Sequence, residues 1–166
     1  MNVSFIEYVL KKCRKLFLEK FSYYGLSWIY MKNYSIIDQI FMKIIRIKNI
    51  TFNKLENDSF KNNKIKNTYI DIVNYLIIAL IKLYVKYNKV KISNLEYIIN
   101  LYDNIIYKIK IKFYINKSKF VNYSTDNILN NILFLKKTFK KLSYYQLKKN
   151  YLDLLIKIIV FLKVKR

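Results

Sequence analysis

The sequence predicts an all-α fold, and three observations carry that prediction. There is no proline and a single glycine in 166 residues, so helix punctuation has to come from capping side chains. Four capping-box patterns supply it: Ser4 with Glu7, Ser35 with Asp38, Ser93 with Glu96, and Ser143 with Gln146. In each pair the hydroxyl can accept a backbone N–H three residues on while the later side chain reaches back, a reciprocal cap. After each cap, apolar residues recur at the spacing of one helix face.

Taken in order, helix one is expected over residues 5–21, with Ile6, Leu10, Cys13, Phe17 and Phe21 on its buried face. Residues 22–34 read as an aromatic loop with room for a short helical turn, and Gly25 there supplies a positive φ or a close backbone approach. Helix two is expected over 36–51, burying Ile37, Phe41, Ile44 and Ile45, with Lys48 interrupting the stripe. Residues 53–67, rich in Lys and Asn, read as a connection. Helix three follows over 68–84, with Ile72, Leu76, Ala79, Leu80 and Leu83 inward, then a link at 88–92 and helix four over 94–107. Residues 108–113 alternate Lys with an apolar residue, which is a strand pattern; a helix-to-helix linker is the competing reading. Helix five is expected over 125–139. Helix six runs over 144–164, with Tyr151, Leu154, Leu155, Ile158, Ile159 and Leu162 inward. About six helices thus form one domain, 1–166.

Two passages echo each other. Asn33-Tyr34-Ser35-Ile36-Ile37-Asp38-Gln39-Ile40 returns as Asn122-Tyr123-Ser124-Thr125-Asp126-Asn127-Ile128, and Asp71-Ile72-Val73-Asn74-Tyr75 returns more faintly from Asp153. One unit used twice accounts for this, with 1–90 holding the N-terminal helix and the first copy and 91–166 a linker helix and the second. Chance similarity in a biased composition is the alternative. Lys43, Arg46, Asn74 and Tyr75 of the first copy face Asn131, Phe134, Ile156 and Lys157 in the second. Any ligand site therefore belongs to the first copy.

A hydrophobic content of 54% allows one domain with a sizeable core. The net charge of +22 fits a nucleic-acid partner. The codon drift of an AT-rich genome accounts better for most of the lysines, because Lys, Asn, Ile, Tyr and Phe are inflated together and the lysines are spread along the chain. Cys13 is alone and histidine is absent, which excludes an internal disulfide, a Cys/His zinc site, and Cys–His or Ser–His–Asp nucleophiles. The N-terminal residues lack a secretory pattern, and the most apolar run, 75–81, is too short to span a bilayer. A cytoplasmic protein with no membrane partner is the expectation.

Tyr24-Gly25-Leu26-Ser27-Trp28, then Ser35 with the run from Asp38-Gln39 through Lys43 and Arg46 to Lys48, then Ile72-Val73-Asn74-Tyr75 through Ile81 resemble the nucleotide modification associated domain 1 family, in its bacterial form with two tandem copies. The resemblance is dense over 21–83 and thin beyond 122. Tyr23, Ile29 and Ile37 stand where the family pattern has an acid, a base and a threonine. What the resemblance implies is a helical domain linked to nucleotide metabolism or base modification, without an assigned reaction.

The residues themselves suggest a site. Gln39, Lys43 and Arg46 fall on one helix face at i, i+4 and i+7, an amide and two cations suited to a phosphate; a solvated face is the plain alternative. Asp38 is explained as a helix cap or as part of the site. Asp71, Asn74 and Tyr75 form one polar cluster at i, i+3 and i+4. They can hold a base or sugar edge, with Tyr75 stacking, or a hydrated Mg²⁺; or they tie helix three to helix two, Asp71 pairing with Arg46. Tyr24 and Trp28, beside Gly25, either stack on a base or fill the core. The paired acidic helices of all-α pyrophosphohydrolases have no counterpart: Glu56 and Asp58 sit in the expected connection, and Asp71 has no acid one turn away. The basic runs at Lys11-Lys12 with Arg14-Lys15 and at Lys163 with Lys165-Arg166 can grip a nucleic-acid backbone or simply face solvent. A nucleotide or nucleic acid is the expected partner. The two copies can pair within the chain or across a homodimer. A basic helical nucleic-acid-binding protein and a structural module with a decayed site are the other readings.

Overall fold

A computed structural model describes residues 3–52, 58–92, 94–115 and 124–164, without the side chains of 3, 4, 163 and 164. The described residues form seven α-helices and a 3₁₀ turn (Phe139–Lys141) and no strand: α1 Val3–Tyr24, α2 Ser27–Tyr30, α3 Asn33–Phe52, α4 Asp58–Tyr87, α5 Leu95–Ile115, α6 Thr125–Thr138 and α7 Tyr144–Val164. The all-α expectation holds.

α4 is the axis of the fold. Ile72, Leu76, Ala79, Leu80 and Leu83 are buried as expected, but so are Ile65, Tyr69, Val73, Ile77 and Ile81 on its other sides. A helix apolar all round must be covered all round. α3, α7, α1 and α5 provide the cover, while α6 packs on α3 and α7, closing a ring of α3, α4, α7 and α6. Ion pairs fix the direction of α6: Asp38 at the start of α3 meets Lys136 at the end of α6 (2.6 Å), and Lys48 meets Asp126 (3.0 Å). The two helices are therefore antiparallel. On the opposite side, the Arg14 guanidinium grips both oxygens of Asp103 at 2.7 and 2.9 Å, joining α1 to α5.

Several expectations need correction. α3 begins at Asn33, so Ser35 lies inside it and the Ser35–Asp38 cap does not form; Asp38 faces Lys136 instead. The buried stripe of α3 is Ile36, Ile37, Ile40, Ile44 and Ile47, one step round from the expected set, leaving Phe41 and Ile45 half-buried and Lys48 free to reach Asp126. Residues 58–67 are helix, not connection, because Ile65, Thr68 and Tyr69 extend the apolar face of α4 backwards through the lysines and asparagines. Residues 108–113 are neither strand nor linker: they continue α5, with Ile109 and Phe113 buried at i, i+4 and Ile111 outside. Arg14, expected in a basic run, is spent on Asp103. By length and composition α4 is also long and apolar enough to cross a membrane, which a count of the run 75–81 alone missed, but 72% of its apolar 18-residue stretch is buried inside the bundle.

The caps divide in the same way. Ser143 and Gln146 form the expected reciprocal pair, and α7 has the expected bounds. Ser124 and Asn127 make another that the sequence reading passed over. Asn94 caps α5 through Tyr97 N–H (2.8 Å). Ser93 and the side chain of Ser4 lie outside the described residues.

Candidate functional site

α1 ends where Gly25 takes φ +53° and its N–H bonds Phe21 O at 2.9 Å; of the two roles expected of the lone glycine it is the positive φ, used here as a left-handed stop one turn beyond the expected helix end. The chain then makes the four-residue α2 and enters α3. What holds α2 in place is Lys82, a lysine in the most apolar part of α4. Its ammonium donates to the carbonyls of Trp28 (3.1 Å), Ile29 and Met31 (2.6 Å). Three donors meet three acceptors at a helix C-terminus, where a cation is favoured. Burial pulls the pKa of Lys82 below the usual lysine value.

So fixed, α2 roofs a recess of about 310 Å³ between the end of α1 and the middle of α4. Phe17, Phe21, Tyr24, Trp28 and Tyr75 supply an aromatic wall, and Lys20, Asp71 and Asn74 the polar part. Tyr24 is 68% exposed at the rim and Trp28 lies buried beneath. The Trp28 indole N–H is the one fully buried side-chain polar atom without a partner among the described residues. Lys20 and Lys43 each reach one oxygen of Asp71, both at 2.7 Å. Burial alone would raise the carboxyl pKa; the two ammoniums outweigh it and hold Asp71 below the usual carboxylate value. The cluster keeps one positive charge in excess. Tyr75 is pushed up, chiefly by burial, and the Lys43 ammonium lies 5.5 Å from its ring centroid.

The expected site residues are thus only partly brought together. Tyr24, Trp28, Asp71, Asn74 and Tyr75 line the recess, with Gly25 shaping its rim and Lys43 behind Asp71. Gln39 and Arg46 are exposed on α3 outside it, and among the described residues Arg46 makes no ion pair. The expected Asp71–Arg46 pair does not form: Lys43, about one turn earlier on α3, takes the carboxylate. Asn74 is largely committed to the core, donating to Cys13 O (3.0 Å) and accepting from Tyr102 Oη (2.6 Å). Asp38, on α3, pairs with Lys136 of α6, away from the recess. Sequence reasoning missed Lys20 and Lys82. A lone lysine inside an apolar stripe is a signal for Lys82, since a buried ammonium needs acceptors; nothing comparable marks Lys20.

The chemistry available is limited. Burial drives the Cys13 thiol up to about 12, so it is no nucleophile at neutral pH. No group of three metal-ligating side chains occurs among the described residues, and Asp71 already holds two cations. An aromatic wall beside surplus positive charge can hold a planar, anionic molecule.

Residues 20–83 match the family model described as nucleotide modification associated domain 1. The match begins at Lys20 and includes Lys43, Asp71, Tyr75 and Lys82, but does not reach α6 or α7, where the sequence echo had suggested a second copy. Comparison with curated proteins and with solved structures gave no match.

Proposed function

We propose that this chain, whose residues 20–83 match the nucleotide modification associated domain 1 family model, binds a nucleotide in the recess beneath α2. The observation that carries the reading is an aromatic cleft closing on a Lys–Asp–Lys cluster with surplus positive charge. The base lies against Tyr24 and Tyr75 over Trp28. Asp71 has lone pairs beyond the two that Lys20 and Lys43 occupy, enough to accept an exocyclic amine. Lys20, half-exposed at the mouth, has donors left for a phosphate. The recess is at the small end of the range for ligand sites, about 300–1,000 Å³, which suits one nucleotide unit. On this reading α3 and α4 form the working copy, and α6 and α7 are scaffold.

A thermal-shift panel of nucleosides and nucleotides tests it. A ligand at a hundred times its Kd stabilises by about 2.7 kcal/mol, a clear rise in Tm. Tyr24→Ala and Lys20→Ala should remove the rise, and Arg46→Ala should leave it. Silence across the panel, or loss with Arg46→Ala alone, would overturn the reading.

A further inference from the structure

Resting on that reading, we propose that the nucleotide is one unit of a single-stranded nucleic acid, whose backbone lies in the groove between α1 and the first half of α4. The recess is not isolated. It shares Lys20 and Asp71 with a neighbouring hollow of about 450 Å³, lined also by Lys12, Lys15 and Asn67. That hollow shares Lys12 and Ile70 with a third of about 220 Å³, where Tyr8, Asn63 and Lys66 line the wall. Tyr8 neighbours Asn63, Lys20 touches Asp71, and Tyr24 neighbours Tyr75, so α1 and α4 run in the same direction and the three hollows follow one another along them. From Tyr8 to Lys20 the helix rises about 18 Å.

The track has what a strand needs and a free nucleotide cannot use. Its lysines at 12, 15, 20 and 66 outnumber its acids, Glu19 and Asp71, and Glu19 reaches Lys15 only at 3.7 Å, with both side chains more than half exposed. Tyr8 is 53% exposed, with the Lys12 ammonium 4.7 Å from its ring centroid, which leaves aromatic surface for a base. Cations tracking a backbone beside aromatic platforms are how single strands are held without regard to sequence. A duplex would have to unstack a base before one could enter the recess.

The test must separate this groove from the general charge of +22. Labelled single strands of increasing length are titrated by anisotropy at several salt concentrations, alongside a nucleoside monophosphate followed by thermal shift. Affinity should rise at least 30-fold from the monophosphate to a ten-nucleotide strand, then level off. K12E/K15E should cost the ten-nucleotide strand tenfold or more and flatten the salt slope by about one or more, leaving the monophosphate shift intact. K148E/K149E, the same charge change on exposed positions of α7, should cost less than threefold. Equal losses in the two variants, or no gain with length, would overturn the groove; if the monophosphate shift persists, the recess survives without it. Groove-dependent binding with no monophosphate shift would overturn the recess as the entry for a base. Silence throughout removes both.

Discussion

The pair α3–α4 and the pair α6–α7 occupy matching places in the central ring, yet they treat polarity differently. Each has a lysine reaching across its crossing: Lys43 to Asp71 at 2.7 Å in the first, Lys157 to Asn131 at 3.0 Å in the second. In the first pair the acceptor is a carboxylate shared with a second ammonium; in the second it is a neutral amide. Asn74 is a buried polar pin, whereas its echo Ile156 is simply core. Asp153, the echo of Asp71, lies 3.6 Å from Lys112 with both side chains nearly half exposed. Apolar packing is common to both pairs. Among the described residues, Asn74 and Lys82 are buried where α1, α2 and α5 bring them partners, and that is also where the recess lies.

Swapping the pins gives the largest expected effect. Asn74→Ile leaves the buried Tyr102 hydroxyl without its acceptor, at about 1–3 kcal/mol, and takes from the Cys13 carbonyl a second donor beyond its bond within α1. Urea unfolding should show a loss of about 3 kcal/mol, and adding Tyr102→Phe should recover at least 1 kcal/mol of it. An additive double variant would mean the network contributes nothing as a unit.

The acids separate the halves next. Asp71→Asn strands Lys43, whose side chain is only 17% exposed, and should cost about 1–3 kcal/mol; Asp153→Asn should stay within about 0.5 kcal/mol. Their pH dependence differs too. The Asp71 carboxyl is held below its reference value of 3.8, so the unfolded chain takes up that proton first on acidification. Its contribution is full above the unfolded pKa and falls away as pH drops through the lower folded one. The gap between wild type and Asp71→Asn should therefore be constant near neutrality and close in acid. A gap that widened on acidification would contradict the pairing.

Lys82→Met probes the roof. Trp28 is the only tryptophan and its carbonyl is one of three held by Lys82. Its emission should shift to the red as α2 loosens, with a stability loss of about 1–2 kcal/mol. An unchanged spectrum would mean α2 is held by its apolar contacts alone.

How much of this could be read beforehand depended on whether the signal was local. The start of α7 was legible because Ser143 and Gln146 cap within one turn, and its inward stripe followed from spacing. α5 was misread after residue 107 because lysine and isoleucine, both abundant here, alternate on a helix that needs only Ile109 and Phe113 inside. Asp71 with Tyr75 was legible as a cluster on one face, and so was Lys43 as a cation. Which cation met Asp71 was not, since Arg46 and Lys43 share that face and only the crossing of α3 on α4 chooses between them. Lys20 comes from 51 residues away in sequence, a distance over which no periodicity carries information.

The smallest effects concern two stops with the same backbone and different residues. Gly25 ends α1 at φ +53°, beside the recess; Lys89 ends α4 at φ +52°, at the border with the second half. Val90 N–H bonds Val85 O and Lys89 N–H bonds Lys86 O around that lysine, a left-handed cap that ordinarily favours glycine. A Cβ at Gly25 meets nothing within 4 Å, so Gly25→Ala is charged only for its conformation, about 1 kcal/mol. Lys89→Gly relieves the same strain and should stabilise by up to about 1 kcal/mol, less the added freedom of the unfolded chain. Opposite shifts in the urea midpoint at unchanged m-value would show that the two caps differ in residue and not in geometry. Because the first cap sets the entry to α2, Gly25→Ala should also weaken nucleotide binding, and Lys89→Gly should not.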